Sequence, residues 1–176
     1  MYRSQLKLTL VFASLLLFSL GADGQTNREK EVAKYEKEYQ KRIKKERLFG
    51  VYIPKDVADA FGQLNRLTTQ SSKQKFRNAP EEIAVKRLHF SLGRWIIHNW
   101  GFYGGSRLSH YIKGLGITHP DQQAKLIIRS YHRYLNKKPL EMEQQVETTL
   151  AAQQKEVEER LKKATIISSE KRKRVN

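Results

Sequence analysis

Cysteine is absent from the 176 residues. Disulfides, thiolate metal sites, a cysteine nucleophile and a lipid attached through cysteine are excluded with it. Acid is also scarce: 18 Asp and Glu stand against 34 Lys and Arg, for a formal net charge of +16. Long apolar runs are scarcer still. The one run, Leu8 to Leu20, is broken by Thr9, Ser14 and Ser19, and it falls short of the ~20 residues that a membrane-spanning helix needs. What the run does have is a basic start, Arg3 and Lys7, and a small-x-small exit at Ala22-Asp23-Gly24. That is the pattern of a signal peptide over residues 1–24, cleaved after Gly24 or Gly21. The expectation is an exported protein without a transmembrane segment once the signal is removed. Held by its core alone, such a chain suits a bacterial periplasm or exterior better than a eukaryotic secretory route.

The shortage of acid is uneven along the chain. Residues 51–140 carry fifteen Lys and Arg against only Asp56, Asp59, Glu81, Glu82 and Asp121. This excess creates a field that attracts anions. The same segment holds most of the aromatic residues, which supply the largest burial per side chain. It therefore reads as the central domain, with a charged helical extension over residues 25–50 before it and a helix and basic tail over residues 141–176 after it.

Periodicity makes every segment helical. Val32, Tyr35, Tyr39 and Ile43 form a thin stripe over residues 26–49, which Gly50 ends. A helix from Asp56 to Leu67 carries Val57, Ala60, Phe61, Leu64 and Leu67 on one face. Thr68 to Lys75 is a linker or a short helix, with Phe76 as its only large apolar anchor. Pro80, Glu81 and Glu82 open a helix that runs to about Trp100, with Val85, Leu88, Leu92, Trp95, Ile96 and Asn99 as its stripe. Ser106 to Lys113 and Pro120 to Leu135 follow, the second burying Ala124, Ile127, Ile128, Tyr131, Tyr134 and Leu135. A last helix, from after Pro139 to about Lys163, repeats Val146, Leu150, Val157 and Leu161, and the tail Lys171-Arg172-Lys173-Arg174 is expected to be disordered. The fold class is all-α: a small orthogonal bundle of about four or five helices, with helical N- and C-terminal extensions.

Three runs carry a resemblance. Trp95-Ile96 to Trp100-Gly101, then Gly104-Gly105-Ser106-Arg107-Leu108, lead into Gly116-Ile117-x-His119-Pro120-Asp121, and Ser130-Tyr131-His132-Arg133-Tyr134-Leu135-Asn136 follows. Together they resemble a bacterial and phage domain family of unknown function, the DUF6794 type, over about residues 52–140. That family often has a second acid after His-Pro-Asp, where this chain has Gln122. The resemblance implies a domain boundary and carries no activity with it.

The candidate ligand-binding residues are Trp100, Phe102, Tyr103, Ser106, Arg107, His119, Asp121, His132 and Arg133. Trp100, Phe102 and Tyr103 either stack on sugar rings or bases, or plug the end of a small core. The glycines before Ser106 and Arg107 either place free helix amides and a guanidinium around an anion, or simply turn the chain into a capped helix. His119-Pro120-Asp121 also matches the tripeptide of J-domain co-chaperones, but helix capping explains it better. The histidines have no metal-pair spacing, and no P-loop, dinucleotide, G-x-S-x-G or H-E-x-x-H pattern occurs. No metal or cofactor is expected, and no catalytic residue is assigned. The function that follows is a non-catalytic binding or structural module for an anionic or glycan-like partner at the cell envelope. A small enzyme built on Arg107, His119, Asp121 and His132, and a protein-interaction module using the terminal helices, are the alternatives.

Overall fold

The computed structural model describes residues 27–173, with side chains as far as 164. The expected signal segment, residues 1–24, and Arg174 of the basic tail lie outside the described residues. The chain divides into two units, Met1–Lys41 and Arg42–Asn176.

Within the first unit, residues 27–41 are helical and belong to α1, residues 27–42. Local pairs support it: Gln40 donates to Glu36 at 2.8 Å, Lys41 lies 3.2 Å from Glu38, and the rings of Tyr35 and Tyr39 stack with centroids 6.4 Å apart.

The second unit departs at once from the expected pattern. The helix does not continue to Gly50. A hairpin intervenes, β1 (Arg47–Leu48) pairing antiparallel with β2 (Val51–Tyr52). Phe49 and Gly50, at φ 50° and 81°, form its two-residue turn. Two successive positive φ values give the turn twist that matches paired strands, and glycine takes one of them without strain. Leu48 is the buried anchor, and its side chain sits so close to Gly101 that a Cβ there would meet it at 3.1 Å.

Helices follow as the periodicity requires. Asp56 caps α2 (Val57–Leu67) by accepting from the Asp59 amide at 2.8 Å, and Val57, Ala60, Phe61 and Leu64 are buried. The polar run that follows is a helix, α3 (Gln70–Asn78), capped by the Thr69 hydroxyl. Its anchor Phe76 stacks on Tyr131 at 5.8 Å and meets His132 edge-on at 5.1 Å. The long helix expected from Pro80 to Trp100 is interrupted. It forms as α4 (Glu81–Leu88), a π turn over His89–Gly93, and α5 (Arg94–Asn99). Gly93 is buried; a Cβ there would lie 3.2 Å from His89 and 3.5 Å from Ile128.

Two further helices complete the core. Ser106 caps α6 (Arg107–Gly114), accepting from the Ser109 amide at 3.3 Å. His119 caps α7 (Pro120–Leu135), where Pro120 takes a first-turn position. Gln123, Ala124, Leu126, Ile127, Ile128, Ser130, Tyr131 and His132 are all buried, and the stripe of Gln122, Lys125, Arg129 and Arg133 is only partly so. α7 is thus the axis against which α2 to α6 and the π turn pack. Its buried Gln123 is satisfied: it accepts from the Ser109 hydroxyl at 2.9 Å and donates to the Ile117 carbonyl at 2.8 Å.

The last helix, α8 (Met142–Lys173), runs past Lys163 and includes residues 171–173, where a disordered tail was expected. Only its beginning docks. Met142 and Val146 pack against the core and Gln145 donates to Ser130, while Val157 and Leu161 are exposed. The protein is a packed helical bundle, and no helix among the described residues is long and apolar enough to cross a membrane.

Candidate functional site

The Trp100–Arg107 loop turns inward. Trp100 and Phe102 are each 1 % exposed, and Trp100 meets Trp95 edge-to-face at 5.7 Å. The Phe102 amide donates to the Ile97 carbonyl at 3.0 Å, which swings the ring under the end of α5. Of the three aromatics only Tyr103 faces solvent, at 74 % exposure. Of the two readings that the sequence left open, Trp100 and Phe102 take the core-closing one, because the end of a small bundle needs large side chains to close it. Ser106 is fully buried and spent on its cap.

Arg107 is engaged as well. Its Nε donates to the Ile53 carbonyl at 2.7 Å, its guanidinium lies 5.0 Å from the Tyr52 ring centroid, and Glu46 is 3.6 Å from Nη1. Tyr52 donates in turn to Asp59 at 2.8 Å. Burial alone would raise the Asp59 carboxyl, but the Lys55 amide, the Tyr52 hydroxyl and the Arg107 charge outweigh it and hold the carboxyl below the usual range. The arginine ties the hairpin to α2 and α6.

The later polar residues occupy other places. His119 is exposed; its Nδ1 accepts from the Asp121 amide at 3.3 Å. Asp121 lies between His119, at 3.6 Å, and His89, at 3.4 Å. His132 is buried at the far end of α7, where its Nε2 donates to the Ala79 carbonyl at 2.9 Å. That bond fixes the tautomer, since a carbonyl only accepts. At ~1.5 Å per residue, the two histidines stand roughly 20 Å apart along the helix. Arg133 donates to Glu81 at 3.1 Å and to Glu141, and this pairing holds its pKa above the ordinary arginine value. Arg107, His119 and His132 thus meet three different sets of neighbours, and the constellation an enzyme would need is not assembled from them. No group of three or more His, Asp or Glu among the described residues is placed to hold a metal.

A different surface is open. Between α3 and α4 runs a groove of about 410 Å³, floored by Phe76, Ala79, Ala84, Leu88, Leu92 and Tyr131 and edged by Thr68, Ser72, Lys75 and Arg87. A second hollow of about 400 Å³ shares Thr68 and Leu92 with it and is lined further by Leu64, Leu67, Ser91 and Trp95. Both volumes fall within the ~300–1,000 Å³ of small-molecule sites. The Tyr131 hydroxyl is already satisfied by Asn65 at 3.0 Å; burial above all, and Tyr134 beside it, push its pKa up to about 12, so the floor stays neutral.

The charge on this hairpin of helices is unbalanced. Glu81 and Glu82, its only acids, turn toward α7: Arg133 and Arg129 reach Glu81 at 3.1 and 3.5 Å, and Arg129 reaches Glu82 at 2.7 Å. Lys75, Arg77, Lys86 and Arg87 are exposed and have no ion-pair partner among the described residues. None of these four was singled out as a site residue from sequence, where Thr68 to Lys75 read as a polar connection. The signal that was there is a cation beside an apolar residue on each helix, Lys75-Phe76 and Arg87-Leu88, with small residues Ala79 and Ala84 between them.

No curated protein and no solved structure matches the chain. Over residues 53–135, from the end of the hairpin to the end of α7, the chain matches the DUF6794 family, a domain of unknown function.

Proposed function

We propose that the protein is an exported, non-catalytic binding module, and that the α3–α4 face is where it meets an anionic partner such as an acidic polymer or glycan of the cell envelope. The observation that carries this reading is the accounting of charge. The two acids of the α3–α4 hairpin are spent on Arg129 and Arg133, and four cations are left without a partner on one exposed pair of helices. Unpaired surface cations are well solvated in the free protein and give up little when an anion arrives, whereas Arg107 would have to leave the Ile53 carbonyl.

The test is retention on immobilised heparin across a salt series, using the purified protein. Removing the four cations together (Lys75→Gln, Arg77→Gln, Lys86→Gln, Arg87→Gln) should lower the eluting salt clearly. A control that removes the same charge elsewhere (Lys138→Gln, Lys155→Gln, Lys162→Gln, Lys163→Gln) should shift it much less, and Arg107→Gln hardly at all. Retention absent at low salt, or equal shifts in the two fourfold variants, would sink the proposal.

A further inference from the structure

We infer that the groove between α3 and α4 holds the chain of a long-chain fatty acid, with its carboxylate between Lys75 and Arg87. This rests on the anionic reading above and names the ligand class for that surface. Three features of the groove carry it.

The first is polarity that changes along its length. Lys75 and Arg87 line the first hollow, and no ionisable side chain lines the second, where Leu67 and Trp95 stand. A ligand matching both ends is charged at one end and apolar at the other. The second is shape. Two hollows of similar volume lie side by side with Thr68 and Leu92 in common, which suits an extended chain laid across both better than a compact ring system. The third is origin. The groove exists because Ala79 and Ala84 face it with the smallest apolar side chains, and because the π turn sets Leu92 at the junction. A π turn inside a helix is frequently a feature of functional sites. Thr68 and Ser72 add hydroxyls only at the edge, and the Tyr131 hydroxyl is bonded to Asn65, so the floor asks nothing polar of a ligand.

The chain would be driven in by burial of apolar surface, and the head would gain from two cations that have no competing partner. A neutral amphiphile gains only the first term, and a short anion only the second.

The experiment is a fluorescence titration of the purified full chain with dansyl-undecanoic acid below its micellar concentration. Palmitate, methyl palmitate and hexanoate serve as competitors, and heparin retention is measured on the same preparations. Saturable one-site binding is expected, displaced by palmitate and about tenfold less well by the other two. The double variant Lys75→Gln, Arg87→Gln should weaken the probe about tenfold. Ser72→Trp, an exposed position on the groove edge that gives up only a hydroxyl contact with Thr69, should block it while the protein still melts cooperatively. Heparin retention that depends on the four cations, with no dansyl-undecanoic acid binding, overturns the fatty-acid inference and leaves the anionic surface standing. Loss of both removes both. Probe binding that ignores Ser72→Trp or the double variant places the chain elsewhere and overturns the inference. So does saturable binding of an acidic amphipathic helical peptide by a protein that does not take up the probe.

Discussion

The Trp100–Arg107 loop and the α3–α4 groove lie in the same domain and present opposite relations between sequence and surface. The loop concentrates aromatic residues, glycines and an arginine, the residue types that recognise ligands, and it spends them inside: Trp100 and Phe102 close the core and Arg107 fastens the hairpin. The groove has aromatic residues too, Phe76 and Tyr131 in its floor and Trp95 in the neighbouring hollow, but they stand among two alanines, leucines, a lysine and an arginine, and it is open. Aromatic density reports a need for burial first, because a small bundle has few ways to fill its ends. An open site depends instead on small residues at facing positions and on charge that nothing in the fold uses.

The sharpest way to break this comparison is to truncate one residue from each region. Trp100→Ala should cost about 3–5 kcal/mol in urea unfolding, since a full indole is removed from a closed core. Leu92→Ala, at the half-buried junction of the two hollows, should cost about 1 kcal/mol, because part of its surface already faces water. Equal costs would mean that the loop is no more part of the core than the groove is.

A smaller effect concerns what holds the groove wall in place. Glu81 is the more buried of the two acids that tie α4 to α7, through Arg133 at 3.1 Å and Arg129 at 3.5 Å. Glu81→Gln keeps the shape and removes the charge, leaving two partly buried guanidiniums less well matched. The expected loss is about 1–3 kcal/mol by urea unfolding. An unchanged midpoint would show that packing alone positions α4.

How far the fold was legible follows from the same distinction. α7 was readable because Ala124, Ile127, Ile128 and Tyr131 recur at three- and four-residue steps, and all are buried. Periodicity did not reveal that Leu126, Ser130 and His132 are buried too, since contact with several neighbouring helices is a tertiary fact. It also placed Tyr134 inside, where it stacks on Phe61 at 4.8 Å but is 45 % exposed. The hairpin escaped because two-residue strands are too short to show alternation, and Phe49-Gly50 read as a helix end. The π turn escaped because one extra residue in one turn leaves Leu88, Leu92 and Trp95 packed against the core, where they also line the two hollows. Among the site residues, the sequence pointed to polar and aromatic side chains without saying which were spent internally. Lys75 and Arg87 become informative only once Glu81 and Glu82 are seen facing α7.

The smallest expected effect separates the two regions by acid. His89 lies in the π turn with its Nε2 3.4 Å from Asp121. Burial first, then the charges of Lys125 and Arg94, push its pKa below the ordinary histidine value against the pull of Asp121. The unfolded chain therefore binds this proton more tightly than the folded one, so stability rises with pH. The contribution is complete above the unfolded value of about 6.5 and is lost as pH falls through the lower folded value. The loop contains no counterpart in that window: the Asp59 carboxyl beneath Arg107, held below the usual range, gives up its contribution only in much stronger acid. Between about pH 7 and about pH 5 the wild-type melting temperature should fall slightly more than that of His89→Gln, while Asp59→Asn should leave the slope over this range unchanged. Parallel slopes for wild type and His89→Gln would show that the π turn does not sense acid. A slope altered by Asp59→Asn would move the sensitivity to the loop, and the distinction between the two regions would then rest on packing alone.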